Sequence, residues 1–120
     1  MRYQIENRLI KFSVSIIKLC RNLNNEYVSQ HLANQIIRSS TSSALNYAEA
    51  QGAESQNDFI HKTSIVLKEL RETHVSLKII KQSEIVVKSN FYDDLLEECN
   101  ELISIFHKTV KTAKANKQSK

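Results

Sequence analysis

The apolar residues of the first segment, Ile5, Leu9, Phe12, Ile16, Leu19 and Leu23, step by 4, 3, 4, 3 and 4. Side chains three or four positions apart return to nearly the same angle on an α-helix, so this spacing predicts a helix over about residues 3–23 with one buried face. Ile10, Val14 and Ile17 run beside that seam and predict a wide buried stripe. Asn24 and Asn25 break the pattern and make a turn.

A second helix is predicted from about Tyr27 to Gln51. Gly52, the one glycine, stands where a left-handed residue ends a helix. In its middle, Ser39, Ser40, Thr41, Ser42 and Ser43 form a run of hydroxyl residues, whose side chains compete for nearby backbone groups. Two readings follow. The helix breaks and restarts inside the run, or it continues and its small side chains let a neighbouring helix come close. Leu32, Ile36 and Ile37 before the run and Ala44, Tyr47 and Ala48 after it keep helical spacing, which favours the continuous helix.

Ser55 followed by Asp58 has the form of a capping box, with Asp in place of the usual Glu or Gln. It opens a third helix, over about 55–81, with the cleanest seam of the chain: Phe59, Thr63, Val66, Leu70, Thr73, Leu77 and Ile80. Residues 82–88 read as a loop with an apolar plug or as a helical turn, with Ile85 and Val86 closing the end of the core. Asn90 and Asp93 repeat the capping pattern, and Tyr92, Leu95, Cys99, Leu102, Phe106 and Val110 carry a fourth stripe, over about 90–115. Acidic residues crowd the first turns of this last helix and lysines its end, as the helix macrodipole favours. Four helices with short connections predict an all-α fold, an antiparallel up-down-up-down four-helix bundle forming one domain over 1–120.

Composition supports this reading. With one glycine and no proline, the chain lacks the turn residues that a sheet-rich fold of 120 residues would need. A domain of this length buries roughly two-thirds of the surface its unfolded chain exposes, enough for an independent core. Lys11 and Lys18 interrupt the apolar pattern of the first twenty residues, so neither a signal peptide nor a membrane span is expected, and a cytoplasmic protein without a membrane partner is. Cys20 and Cys99 occupy core-facing positions without C-x-x-C spacing and read as reduced, buried thiols.

The formal charge of +4 is unevenly spread. Residues 1–107 hold 12 Lys/Arg against 13 Asp/Glu, whereas residues 108–120 hold Lys108, Lys111, Lys114, Lys117 and Lys120 and no acid. The basicity belongs to the end of the chain.

The stretch QIIRSSTSSALNYAEAQGAESQNDFIHKTSIVLKELRETHVSLKII, Gln35 to Ile80, closely resembles the four-helix-bundle proteins of the 23S ribosomal RNA intervening sequences, in the branch with a KE-x-RET segment in the third helix. LLEECNELISIF, Leu95 to Phe106, followed by KTAK, resembles the last helix of the same branch. The positions this family shares fall on Gln35, Arg38, Ser42, Asn46 and Glu49, on Phe59, and on Glu72. Ala44 and Ala50 replace a Pro and a Gly common elsewhere in the family, which favours an unbroken second helix. The resemblance implies a bundle assembled into ring-shaped homopentamers, no catalytic activity, and nucleic acid as a partner. Related bundles serve reverse transcriptases of diversity-generating retroelements as accessory proteins, so a protein partner is the alternative.

Gln35, Arg38, Ser42, Asn46 and Glu49 share one face of the second helix, turned away from Ala33, Ile37, Ala44 and Tyr47. This polar seam reads as a solvated face, as a hydrogen-bonded network in which Arg38 pairs with Glu49 or Glu72, or as a ligand or RNA site. Buried polar groups of the second kind specify register and partner rather than add stability. The lysines from Lys108 to Lys120 recur every third residue. Three residues advance a helix by about 300°, so they wind around it instead of lining one face. They read as a solvated, dipole-complementing end, or, if five chains place their ends on one rim, as roughly twenty-five charges acting together on a polyanion. No aromatic residue interleaves with them, so base stacking and strong sequence preference are not expected.

His31, His61, His74 and His107 lack H-x-x-x-H or E-x-x-H spacing, and Glu97 and Glu98 lack the Glu-x-x-His partner of a di-iron bundle. Neither a glycine-rich phosphate loop nor a nucleophile elbow is present. The expectation is a protein with no cofactor, no metal and no catalytic residues.

Overall fold

The seam residues dictate the packing. The computed structural model describes residues 2–85 and 90–118, with the side chains of Arg2 and Asn90 left aside, and folds them into four α-helices: α1 (Arg2–Arg21), α2 (Tyr27–Gln51), α3 (Gln56–Gln82) and α4 (Asn90–Gln118). Each helix touches two others, α1 and α3 lying diagonally opposite, in a bundle of 52 × 21 × 21 Å. Leu9, Phe12, Ile16, Leu19 and Leu23 meet Leu32, Ile36 and Tyr47 from α2, Val66, Leu70, Leu77 and Ile80 from α3, and Leu95, Leu102 and Phe106 from α4 in one core. Burying a side chain of this kind contributes about 1.5–3 kcal/mol. Tyr47 and Phe106 pack edge to face with ring centroids 5.4 Å apart.

Side-chain bonds report the direction of each helix. Lys62 binds Glu49 near the α2–α3 connection, while Thr73, further along α3, meets Ser39, further back on α2, so the two helices run antiparallel. Lys81 reaches Asp93 near one end of α3 and Gln56 reaches the Ala113 carbonyl at the other, which sets α3 and α4 antiparallel as well. The Ser13 hydroxyl donates to the Ser40 carbonyl, and the link back to α1 is closed by Ser29 and Asn24, 2.5 Å apart.

Helix α2 is continuous through its hydroxyl run. Ser39, Ser40 and Ser43 are buried, and each hydroxyl finds an acceptor on the preceding turn, the carbonyl of Ile36, Ile37 or Ser40. A side chain that bonds its own helix carries no unsatisfied group into the core. The small volume lets both neighbours close in: Ser13 of α1 at 3.0 Å from the Ser40 carbonyl, and Thr73 of α3 at 2.7 Å from Ser39. Thr63 and Thr73, the two hydroxyls in the α3 seam, likewise bond the carbonyls of Phe59 and Glu69.

The first helix departs from its predicted stripe. Ile10 and Val14 are 46% and 44% exposed and Ile17 is half-buried, because α1 packs only on α2 and α4 and this flank lies beyond both contacts. On α2, Ile37 and Ala44 are half-buried, Ala44 at the edge of the core, and Ala48 is exposed. Cys20 is half-buried rather than in the core, whereas Cys99 is fully buried with its thiol donating to the Leu70 carbonyl; neither forms a disulfide.

The helix ends hold a second departure. The Ser55 hydroxyl accepts from the Asp58 amide at 3.0 Å and caps α3. Gly52 follows α2 with φ −99° and ψ 16°, so the left-handed conformation expected there is not used. Among the described residues the positive φ falls on Glu84, at 56°, just after α3. Ile85 then packs against the core. Val86, and the capping role of Asn90, lie outside what is described.

Candidate functional site

The polar seam of α2 is divided among three environments. Arg38 reaches across to α3, where Nη1 lies 3.0 Å from Oε2 of Glu69 and Nη2 lies 2.8 Å from Oε2 of Glu72. The two glutamates are three residues apart and so share one face of α3. Glu69 is only 4% exposed, and Arg38 is its ion-pair partner among the described residues. The hydrogen bond to Glu72, then the field of Glu69, raise the Arg38 pKa, which holds the guanidinium charged. Ser42 and Asn46 bond each other, the Asn46 amide donating to the Ser42 hydroxyl and carbonyl on its own helix. Glu49 pairs with Lys62 at 2.7 Å, not with Arg38. Arg38 is eleven residues up the helix from Glu49, about 16 Å away along its axis, which is beyond side-chain reach.

Gln35 is exposed at the other end of the seam and, with Arg38, Arg71, Val75 and Ser76, lines an open groove of about 570 Å³ between α2 and α3. The seam is therefore an interhelix clamp at Arg38, flanked by a solvent-facing groove. The pattern on α2 did not reveal Glu69. The available signal was in α3, where the first glutamate of the KE-x-RET segment sits beside Leu70 and one turn before Glu72. Phe59 is half-buried at the start of α3 and lines a second open groove, about 680 Å³, with Ile105, Thr112 and Lys108.

The lysine row is helical through Gln118, and Lys108, Lys111, Lys114 and Lys117 are all exposed. Gln56 at the start of α3 donates to the Ala113 carbonyl, so the turn after Ala113 lies at the start of α3. There Lys114 and Lys117 border a shallow recess with Asn57 and Ile60. Lys120 lies outside the described residues. The charge of α4 is polarised along its length: Asp93, Glu97, Glu98 and Glu101 occupy the first half, and Arg8 of α1 is drawn to that half, bonding Glu98 at 3.1 and 2.5 Å.

Among the described residues no three His, Cys, Asp or Glu side chains gather as metal ligands, and no helix is long and apolar enough to cross a membrane.

No functionally curated protein matches the chain. Among solved structures, the chain is similar to a protein of unknown function from the S23 ribosomal protein family of Bacteroides thetaiotaomicron, crystallised at 1.70 Å. The two share 31% identity and superpose with a TM-score of 0.81 over 89% of this chain and 98% of the other. The family model described as 23S rRNA-intervening sequence protein matches residues 1–108, the whole bundle up to the first lysine of the row, and the chain belongs to that family.

Proposed function

We propose that the protein is a non-enzymatic homo-oligomer, a pentameric ring of these bundles, that binds structured RNA or other nucleic acid through the basic end of α4. The observation that carries the reading is the placement of Lys114 and Lys117 beside the start of α3, on a helical end with four exposed lysines and no Asp or Glu after Glu101. Phosphate oxygens gain most from such a cluster, because each neutralised phosphate releases counterions. Most of the row follows residues 1–108, the span matched by the family model. Assembly is supported by the apolar side chains that the single bundle leaves exposed on α1 and α2, among them Tyr3, Ile10, Val14 and Leu45.

That same apolar surface favours a second reading, in which the bundle docks a protein as an accessory scaffold. Salt separates the two. Binding to phosphates weakens steeply from low to moderate salt, whereas an apolar protein interface need not.

The test is fluorescence anisotropy of labelled ribosomal RNA fragments across a salt series, comparing the full chain with a full-length variant carrying Ala at Lys108, Lys111, Lys114, Lys117 and Lys120. Salt-sensitive binding lost in the variant supports the basic end as the site. Equal binding by both proteins, or by neither, sinks it.

A further inference from the structure

Helix α3 carries a second basic surface, distinct from the lysine row. Lys68, Arg71 and Lys78 fall within about 80° of its circumference, and all three are exposed. The buried residues Val66, Leu70, Thr73 and Leu77 occupy the opposite side. Of the acids of α3, Glu72 borders this face, about 40° from Lys68, but its charge is engaged by Arg38. Glu69 and Glu72 are both held by Arg38 on the side facing α2, and Asp58 sits in the first turn. Among the described residues no carboxylate lies within ion-pair distance of Lys68, Arg71 or Lys78, although Arg8 and Arg38 each have two and Lys62 and Lys81 one.

The placement of the α4 end makes the two basic elements one surface. Asn57 is eleven residues, three turns, before Lys68 and so stands on the same face of α3. Lys114 and Lys117 border the recess formed by Asn57 and Ile60, at the foot of that face. The cations thus run from Lys117 and Lys114 past Asn57 to Lys68, Arg71 and Lys78. The α3 part of this path, Asn57 to Lys78, is about 31 Å long, or about nine base pairs of B-form DNA at 3.4 Å each. Arg71 also lines the α2–α3 groove beside Gln35 and Ser76, donors for phosphate oxygens, together with Glu72, whose charge Arg38 engages.

We infer that the outer face of α3, through Lys68, Arg71 and Lys78, is a binding surface for the phosphate backbone of a nucleic-acid duplex lying along the bundle. It rests on the reading of the protein as a nucleic-acid binder and moves most of the contact from the end of α4 to the side of the bundle. With no aromatic side chain among these cations, the contact is to backbone, not bases.

The experiment uses the full chain and a labelled RNA duplex of about twenty base pairs and arbitrary sequence, long enough to span the face. A variant with Lys68→Ala, Arg71→Ala and Lys78→Ala is compared with one of equal charge change on the diagonally opposite helix, Lys11→Ala, Lys18→Ala and Arg21→Ala. Thermal melts and light scattering on each verify equal folding and mass. A second face variant with Gln at the same three positions guards against an effect of helix propensity. Both face variants are expected to lower the slope of log affinity against log salt by about 2 to 3, equivalent to a roughly 40-fold smaller loss of affinity from about 50 to about 200 mM salt. The control is expected to change affinity less than about two-fold. Equal losses in face and control variants overturn the inference, since a general field would then explain the binding.

The variant lacking the α4 lysines separates this inference from the reading it rests on. Loss of binding there with unchanged face variants leaves the α4 end as the site and overturns the α3 surface. Loss in the face variants alone supports the α3 surface and overturns the α4 end. A wild-type protein that does not bind the duplex at any salt overturns both.

Discussion

Arg38 on α2 holds the buried carboxylate of Glu69 on α3 at 3.0 Å, and its second amino group reaches the more exposed Glu72. A carboxylate removed from water must find a charged partner or lose its charge, so this pair fixes the rotation of the two helices at the level of the Ser39–Thr73 contact. Arg38→Ala is expected to destabilise the bundle by about 1–2 kcal/mol, the lower part of the range for a charged hydrogen bond because the Arg38 side chain is largely exposed and screened. Glu72→Ala should cost less than about 0.5 kcal/mol. A double-mutant cycle in urea that finds no coupling between Arg38 and Glu69 would contradict the clamp.

The hydroxyl run makes the next prediction. Ser39 and Ser40 are buried where Thr73 of α3 and Ser13 of α1 bond α2, so a larger side chain there must push helices apart. Ser40→Leu should lower stability by about 1–3 kcal/mol or more by overpacking. Ser40→Ala, which keeps the close approach and removes only a hydroxyl bonded within its own helix, should be within about 0.5 kcal/mol of wild type. Thermal melts followed by circular dichroism measure both.

The residues that follow α2 and α3 respond in opposite ways to glycine. Gly52 has a φ any residue adopts, and a Cβ there would meet the Glu49 carbonyl at an ordinary 3.7 Å. Gly52→Ala should therefore raise stability by about 0.4–1 kcal/mol through the unfolded chain. Glu84 pays for a left-handed φ of 56°, so Glu84→Gly should gain about 1 kcal/mol. A loss of stability in either variant would show that another interaction governs the site.

Stability should fall at alkaline pH. Burial pushes the Cys99 thiol up to about 12 and the Cys20 thiol up to about 11, from 9.0, and burial, with Cys20 nearby, pushes Tyr92 up to about 12 from 10.0. Above about pH 9 the unfolded chain releases these protons before the folded one does, so stability present below pH 9 is lost as pH rises toward 11 and 12. On the acid side, burial, then the charge of Lys78, lower the His74 pKa from 6.5, so the unfolded chain takes up that proton first and stability declines as pH falls below 6.5. Denaturant midpoints at pH 7, 9 and 10.5 should descend. A Cys20→Ser, Cys99→Ala variant should start lower and descend less steeply.

The exposed flank of α1 predicts the assembly state. Ile10→Asp with Val14→Glu changes side chains that the single bundle leaves half in water, so its helicity should be kept. If these residues cover a neighbouring copy, light scattering should show the variant at the mass of one chain while the wild type is larger. An unchanged mass would remove α1 from the interface.

Periodicity was sufficient for the architecture, because a helix buries residues by angle and angle is written in spacing. The seams of α3 and α4 are buried from Thr63 to Ile80 and from Tyr92 to Val110, and the Ser55 cap depends on atoms three residues apart. Such local relations need no knowledge of the rest of the chain. The lysines were visible too, since charge on an exposed helix end is a property of composition.

What required the tertiary structure was anything set by a neighbour on another helix. The apolar flank of Ile10 and Val14 has the pattern of a core, but only the positions of α2 and α4 around α1 decide whether it is covered. The partner of Arg38 depends on the stagger of α2 against α3, which puts Glu69 and Glu72 within reach and Glu49 out of it. The union of the α4 end with the outer face of α3 follows from the length of one helix relative to another, where Gln56 meets Ala113. Angle around a helix is a local quantity; level along the bundle is fixed by packing between helices, and the candidate surfaces are built from level.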